Sequence, residues 1–258
     1  MNPLERPSNA VSAEPRIVAV IPARMASERL PGKPLRDIAG KPLLRRVWEA
    51  AAAYDRWTRL VVATEDQEIL DYCRTSGLDV EPTGRHASGT DRLCEIADRV
   101  AAEIYVNIQG DEPTLRWEHF DALLQPLLLG AAPVSTLSVA LGEADAANPN
   151  TVKVVTDRAG RALYFSRHPI PYHRDGSEPG WFKHIGLYGY RRSALRWFRR
   201  LPPGVLERKE RLEQLRFLEN GIPIAVSLVQ HDTIGVDTPE DLARAACWFS
   251  GSEDLAGA

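Results

Sequence analysis

The sequence predicts an α/β fold with a doubly wound, mostly parallel sheet and an inserted β-rich arm, and two observations lead to this prediction. Short apolar runs, typical of buried strands, alternate along the chain with longer segments of helical periodicity. Such alternation is the pattern of strand–helix–strand units, whose strands pair in parallel. Residues 151–190 differ, because two β-rich runs are followed by a loop rich in Pro, Gly and His. This segment predicts an arm inserted late in the sheet, suited to dimerisation or to closing over a substrate.

The first predicted strand leads into a basic loop. Residues 17–21 are all apolar, as in a strand covered on both faces, and Pro22 ends the run. Polar side chains then follow at Arg24, Ser27, Arg29 and Lys33. Ligands of open α/β sheets bind at the carboxyl ends of the strands, where cations can meet the oxygens of a triphosphate. A solvated surface loop that happens to be basic is the alternative.

The remaining elements follow from periodicity and from turn residues. Helices are predicted at 42–51, 64–76, 91–102, 117–129, 206–220 and 237–249. Further strands are predicted at 60–63, 78–80, 104–108, 134–140, 151–156, 161–166, 183–190 and 222–229. Gly77 and Gly221 are the predicted helix stops.

Composition sets the broad class. A chain of 258 residues with 44% hydrophobic and 26% charged residues is typical of a globular protein. We expect a leader without fixed structure at 1–15, one domain at 16–250 and a tail at 251–258. The net charge of −3 does not favour a nucleic-acid partner, and no apolar run is long enough to span a membrane. Three widely spaced cysteines favour reduced thiols in a cytoplasm over disulfides or a zinc site.

Two carboxylates follow predicted strands. Asp111 lies in Gly-Asp-Glu-Pro and Asp237 in Gly-Val-Asp-Thr-Pro, so both are expected near the basic loop at one edge of the sheet. Mg²⁺ prefers one or two carboxylates together with waters and phosphate oxygens, which fits such a pair. The alternatives are a turn residue for Asp111 and a helix N-cap for Asp237.

Other candidates have less specific local signals. Ser88, Gly89 and Thr90 precede a helix, where they can bind an anion or simply cap the helix. The histidines of the arm lack metal-site spacing, and the charged residues of 206–220 are typical of a solvated helix face. P-loop, dinucleotide-binding and Gly-x-Ser-x-Gly motifs are absent from the sequence, which counts against those enzyme classes.

Taken together, these segments resemble the 3-deoxy-manno-octulosonate (Kdo) cytidylyltransferases. The resemblance starts with IPARMASERLPGKPLRDIAGKPLL and continues, in order, through VATED, ASGTDRL, VNIQGDEP, NPNTVKVVTD, ALYFSRHPIP, KHIGLYGYRR, LERKERLEQLR and GVDTPEDLARA. It covers nearly the whole chain from Arg16 to about Ala246.

The resemblance implies a Rossmann-like nucleotidyltransferase fold and a homodimer that transfers CMP from CTP to an acid acceptor. It implies that Lys33, Asp111 and Asp237 are catalytic and that the two aspartates hold Mg²⁺. The implied CTP-binding residues are Arg24, Ser27, Arg29, Lys33, Ser88, Gly89 and Thr90. The implied acceptor-binding residues are Gln109, Arg167, His168, His184, Tyr188, Glu210, Glu213 and Gln214. Glu210, Glu213 and Gln214 are expected to share one side of the charged helix and to face the acceptor.

The departures from the family pattern concern the acceptor. His168 stands where a small residue is common, Tyr172 replaces a usual Trp, and Glu28 replaces a small polar residue. Kdo, used in lipopolysaccharide biosynthesis, is the leading acceptor, and phosphonoformate in phosphonate biosynthesis is the alternative. A non-catalytic nucleotide-binding relative is a remote alternative, because Lys33 and both aspartates are present. The QGDEP and GVDTPEDL segments favour cytidylyl over guanylyl or uridylyl transfer.

Overall fold

The computed structural model describes residues 14–27, 29–174 and 180–251. Most of the predicted leader and tail, as well as Glu28, lie outside these residues. The strands are β1 Ile17–Pro22, β2 Asp37–Ile38, β3 Lys41–Pro42, β4 Arg59–Thr64, β5 Val80–Pro82, β6 Ile104–Asn107, β7 Val134–Leu141, β8 Lys153–Thr156, β9 Ala162–Ser166, β10 Trp181–Arg191 and β11 Ile224–Val229.

The helices lie between these strands and after the last one. They are α1 Leu43–Ala52, α2 Gln67–Thr75, α3 Gly89–Arg99, α4 Trp117–Leu128, α5 Glu143–Ala146, α6 Arg192–Arg200, α7 Val205–Glu210, α8 Leu215–Glu219 and α9 Pro239–Phe249. A single 3₁₀ turn, Lys33–Leu35, interrupts the loop after β1. None of the helices in the described ranges is long and apolar enough to cross a membrane.

The central sheet is mixed and mostly parallel, as the sequence predicts. Its strand order is β11-β7-β10-β6-β1-β4-β5, and β10 is antiparallel to both of its neighbours. The β8–β9 hairpin joins the sheet through β10, so the predicted arm is an extension of the central sheet. Because β1 lies between β6 and β4, its carboxyl end is near the middle of the sheet edge.

Side chains of β1 alternate between two apolar cores, one on each face of the sheet. Ile17, Ala19 and Ile21 pack with α1, α2, α4 and α9, whereas Val18 and Val20 pack with α3, α6 and α8. All five residues are at most 2% exposed. This double coverage explains the uninterrupted apolar run and fixes the strand that leads into the basic loop.

Three sequence predictions need correction. The predicted helix at 206–220 is two short helices, because Arg211 adopts a left-handed conformation with φ 55°. Glu207 and Arg216 are buried against each other instead of forming a solvated face. The third strand lies two residues later than predicted, at Val80–Pro82, since Leu78 packs in the core before the strand begins. Helix α6 was not predicted.

Candidate functional site

Two carboxylates and one ammonium meet at the carboxyl edge of the sheet. Lys33 Nζ lies 2.7 Å from Asp111 Oδ2 and 3.0 Å from Asp237 Oδ1. Arg29 approaches the other oxygen of Asp237 at 2.9 Å. Burial lowers the pKa of Lys33, but the charges and hydrogen bonds of both aspartates outweigh it, so the net shift of the pKa is upward. The two aspartates therefore favour the charged form of Lys33 in this site.

The two loops that carry the aspartates are joined through their backbones. The Val236 amide donates to the Asp111 carbonyl oxygen at 2.8 Å, and the Ile234 amide donates to Thr114 Oγ1 at 2.8 Å. Gly110 lets the loop after β6 approach the end of β1, since a Cβ there would lie 2.8 Å from the Pro22 carbonyl oxygen. A side chain at this position would push the carboxylate loop away from the basic loop.

Asp237 is not the cap of the last helix. Thr238 is the N-cap of α9, and its hydroxyl accepts a hydrogen bond from the Asp241 amide at 3.2 Å. Asp241 in turn accepts from the amides of Asp237 and Thr238. The capping alternative is thus excluded for the Asp237 carboxylate, which is directed at Lys33 and Arg29.

A cavity of about 800 Å³, the loop cavity, lies beside this cluster. Its lining includes most residues of the predicted CTP set, namely Arg24, Ser27, Arg29, Lys33, Ser88 and Gly89. Thr90 lines a different cavity. The cationic lining residues are Arg24, Arg29, Lys33 and Arg92, and the carboxylates of the described lining are Asp111 and Asp237. Such a lining suits a polyanion.

Asp66 holds the basic loop in place. The sequence places Asp66 in the cap of α2, and it is the N-cap residue by position, but its side chain does not cap the helix. The carboxylate instead accepts from the Met25 amide at 2.7 Å. The basic loop is thereby tied to the carboxyl end of β4 as well as to β1.

A second cavity of about 970 Å³, the arm cavity, opens on the other side of the two aspartates. Its lining includes most of the predicted acceptor set: Gln109, Arg167, His184, Tyr188, Glu213 and Gln214. The two cavities share Arg29, Gly89, Gln109, Asp111 and Asp237. Two ligands bound in the two cavities would therefore meet at the carboxylate pair.

His184 is neutral in the arm cavity. Burial, and then the charge of Lys183, lower the pKa of His184 to about 3. Thr136 Oγ1 lies 3.0 Å from His184 Nε2 and 2.8 Å from the Leu187 carbonyl oxygen. Because a carbonyl can only accept, the hydroxyl donates its one proton to a carbonyl and accepts Nε2–H from His184. This leaves Nδ1 of His184 unprotonated and available as a hydrogen-bond acceptor.

Glu213 connects the turn between α7 and α8 to the start of α3. Burial raises the pKa of Glu213, although hydrogen bonds with Thr90 and Ser88 act in the opposite direction. Ser88 is also the N-cap of α3 and accepts from the Asp91 amide at 3.1 Å. The capping alternative for Ser88 is confirmed, and it does not prevent Ser88 from lining the loop cavity.

Two residues predicted to bind the acceptor lie outside the arm cavity. The expectation that Glu210 shares a helix face with Glu213 and Gln214 is wrong, because the chain turns at Arg211. The Glu210 carboxylate accepts from Ser166 Oγ at 2.7 Å and from the Arg167 amide at 2.9 Å. His168 is exposed and lines neither cavity.

Several lining residues were not predicted. Arg92 lines the loop cavity and is ion-paired with Glu65, and Lys183 lines the arm cavity and bonds Asp232 at 2.8 Å. Asn107 is 1% exposed, and its Oδ1 has no partner within the described ranges. All three lie within the segments quoted above, but an Arg, a Lys or an Asn at such a position does not by itself predict contact with a ligand. Only the fold shows that they reach a cavity.

The aspartate pair suits a hard divalent cation. No group of three or more His, Cys, Asp or Glu side chains that could enclose a metal occurs in the described part of the chain. Asp111 and Asp237 supply two carboxylates that already converge on a cation, and both remain accessible, with side chains 29% and 48% exposed. This donor set fits Mg²⁺, which takes few protein carboxylates and fills its octahedron with water and phosphate oxygens.

Comparisons with known proteins find relatives that match most of the chain. The model of the cytidylyltransferase family matches residues 18–226. A 3-deoxy-manno-octulosonate cytidylyltransferase of Koribacter versatilis is 52% identical over 89% of this chain and 88% of its own length. The enzyme of the same name from Acidobacterium capsulatum is 53% identical over 88% of this chain and 93% of its own. A solved structure of CMP:2-keto-3-deoxy-manno-octonic acid synthetase complexed with CTP superposes with a TM-score of 0.88, at 43% identity, covering 92% and 99% of the two chains.

Proposed function

The chain belongs to the cytidylyltransferase family, and we propose that it transfers CMP from CTP to Kdo with release of pyrophosphate. The observation that carries the proposal is the pair of cavities that meet at Asp111 and Asp237. One cavity is suited to a triphosphate, and the other has polar groups suited to a hydroxylated acid. Transfer between two substrates requires such an arrangement, because the reacting atoms must be brought together.

CTP occupies the loop cavity in this proposal. Arg24, Arg29 and Lys33 line that cavity, and their charges face the phosphates. Pyrophosphate gains negative charge as it leaves, so fixed cations on its side of the site stabilise the transition state more than the ground state. In the free protein, Asp111 and Asp237 raise the pKa of Lys33 overall, so Lys33 meets CTP as a cation.

Kdo occupies the arm cavity. A hydroxyl oxygen of the acceptor loses its proton to solvent and attacks the α-phosphorus of CTP. The new oxygen–phosphorus bond forms as the bond from the α-phosphorus to the bridging oxygen of pyrophosphate breaks. Neutral His184 accepts a hydrogen bond from the sugar at Nδ1, while Tyr188 and Gln214 supply donors. The Tyr188 hydroxyl and Gln214 Nε2 are buried without a partner within the described residues, as expected of groups that await a ligand.

Mg²⁺ held by Asp111 and Asp237 would orient the two substrates and screen their negative charges. The protein contributes the fixed spacing of the two carboxylates, through the hydrogen bond between Val236 and Asp111. Lys33 contacts both carboxylates and so limits their mutual repulsion. No side chain needs to form a covalent intermediate.

The test is pyrophosphate release from CTP with Mg²⁺, run side by side with Kdo and with phosphonoformate. We expect turnover with Kdo, since the relatives reported above are named for it. Turnover with phosphonoformate alone would overturn the proposed acceptor. Turnover with neither acid would show that the acceptor is a different acid or that the chain is the non-catalytic relative, and it would overturn Kdo as the acceptor.

Assembly and location are further parts of the proposal. We infer a homodimer formed through the arm, where Leu163 and Tyr172 are 62% and 87% exposed. Light scattering after size exclusion tests this, and a monomer would contradict it.

A cytoplasmic location is supported by three cysteines that are all free thiols.

A further inference from the structure

Lys153 is a buried cation that has no carboxylate partner among the residues that the structure describes. It is the first residue of β8 and is 0% exposed. Its ammonium donates to the carbonyl oxygens of Asn148 at 3.1 Å, Thr151 at 2.6 Å and Arg167 at 2.5 Å. Three acceptors satisfy the three donors of an ammonium group. Within the described ranges Lys153 forms no ion pair, so its charge is stabilised by the dipoles of the three backbone carbonyl groups.

The three carbonyls come from segments that wall the arm cavity. Asn148 and Thr151 belong to the turn before β8, and both line that cavity. Arg167 begins the loop after β9 and also lines it. The amide of His184, on β10, donates to the Val152 carbonyl oxygen at 2.8 Å, so the same turn holds a fourth lining residue.

Arg167 extends this network to the turn between α7 and α8. Its Nε donates to the Glu210 carbonyl oxygen at 2.8 Å, and its guanidinium also donates to the Pro149 carbonyl oxygen at 3.0 Å. The backbone amide of Arg167 donates to the Glu210 carboxylate at 2.9 Å. Glu213 and Gln214, which follow three and four residues later, line the cavity. Lys153 and Arg167 thus connect the turn before β8, the loop after β9 and the end of α7.

We propose that Lys153 is a positioning residue for the acceptor: its ammonium sets the relative placement of residues 148–151, 167 and 210–214 around the arm cavity. This role rests on the proposed function, in which the acceptor occupies that cavity. None of these segments lines the loop cavity. Loss of the ammonium therefore impairs recognition of the acceptor and spares recognition of CTP.

The test is Lys153→Met, which retains the length of the side chain but removes the charge and all three donors. The matched control is Lys209→Met, which removes the same charge from an exposed position on the neighbouring helix α7. We expect the KM for Kdo to rise at least about tenfold in Lys153→Met, since small misplacements around a reacting centre have effects of this size or larger. The KM for CTP stays within about twofold of the wild-type value, as an acceptor-specific role requires. Lys209→Met leaves both constants unchanged.

An unchanged KM for Kdo in folded Lys153→Met would overturn the proposal, and so would an equal rise of both KM values. If Lys153→Met does not fold, Glu210→Ala removes the carboxylate that accepts from the Arg167 amide, and the same split between the two KM values is expected. Lys153→Arg, which retains charge and donors, should recover part of the affinity for Kdo.

Amide hydrogen exchange tests the positioning role of Lys153 independently of which acid is the acceptor. In Lys153→Met we expect faster amide exchange at 148–152 and 166–168, and unchanged exchange at 22–27 and 29–35. If wild-type protein does not use Kdo but this exchange pattern appears, the acceptor is wrong and the positioning role stands. Unchanged exchange at 148–152 and 166–168 would overturn the positioning role whatever the acceptor is.

Discussion

The Val236 amide donates a hydrogen bond of 2.8 Å to the Asp111 carbonyl oxygen. This contact joins the loop after β6 to the segment before α9, which are far apart in the sequence. It places Asp237, the next residue after Val236, beside Asp111. A backbone contact of the fold therefore helps to set the spacing of the two carboxylates.

Replacing either aspartate by asparagine should abolish transfer. Asp111→Asn or Asp237→Asn removes one carboxylate of the proposed Mg²⁺ site, and we expect pyrophosphate release to fall by at least about 10²-fold. Asp55→Asn, at an exposed position, is the control. Removal of divalent cations with a chelator should abolish the wild-type activity, and added Mg²⁺ should restore it. Turnover like that of the wild type in either variant would reject the metal assignment.

Lys33→Ala should weaken the use of CTP. The variant loses the cation that contacts both aspartates and lines the loop cavity. We expect kcat/KM for CTP to fall about 10²-fold, as when a single charge-stabilising group is removed from an active site. Steady-state kinetics at varied CTP measure this, with Lys209→Ala as the exposed control. Unchanged kinetics would remove Lys33 from the site.

Thr238→Ala should separate helix capping from catalysis. The variant loses the N-cap of α9, which costs about 1 kcal/mol of unfolding free energy and lowers Tm by about 2–4 °C. Thr238 lines the arm cavity, but its hydroxyl is taken up by the cap, and the Asp237 carboxylate keeps its contacts with Lys33 and Arg29, so we expect activity to remain. Asp237→Asn should do the reverse and retain Tm while losing activity. If both variants lowered Tm equally, Asp237 would be acting as part of the cap.

His184 should contribute to acid sensitivity of the fold. Burial and Lys183 lower its pKa to about 3, below the value of about 6.5 in an unfolded chain. Between these values the unfolded chain binds a proton that the folded protein does not. The stabilising contribution is therefore full above about pH 6.5 and is lost as the pH falls towards 3.

The measurement for His184 is Tm at pH 7 and at pH 5. We expect the decrease in Tm between these values to be smaller in His184→Gln than in the wild type, because glutamine cannot be protonated. Glutamine can still donate to Thr136. His231→Gln, with an exposed ring, is the control and should behave as the wild type does. An identical decrease in all three proteins would contradict a neutral His184.

The order of most strands and longer helices could be read from periodicity, although α6 was missed, and the site could be read in part. The apolar run of β1 and the strands that precede Asp111 and Asp237 place three charged groups at one edge of a parallel sheet. The sequence could not decide whether Asp237 caps a helix. A hydroxyl and a carboxylate in adjacent positions are both good caps, so the local sequence does not choose between them. The structure shows that Thr238 is the cap.

The structure of the region around Glu210 could not be predicted from the sequence. Charges spaced three and four residues apart fit one continuous helix equally well, and the left-handed Arg211 leaves no local signal. The break forms because Glu207 and Arg216 are buried as a pair and Leu212 and Leu215 pack in the core. Such long-range packing decides which carboxylates reach the cavity, and it cannot be read from spacing. The role of Lys153 likewise depends on three backbone carbonyls, which no sequence motif reveals.

The most direct test of the account is to follow the α-phosphorus of CTP. With CTP labelled at that atom, Mg²⁺ and Kdo, we expect the label to appear in a CMP–Kdo product in amounts equal to the pyrophosphate released, and to disappear from the product in Asp111→Asn. Label that remains in CTP, or that appears in free CMP without a sugar adduct, would contradict the claim that the two cavities bring CTP and Kdo together at the carboxylate pair.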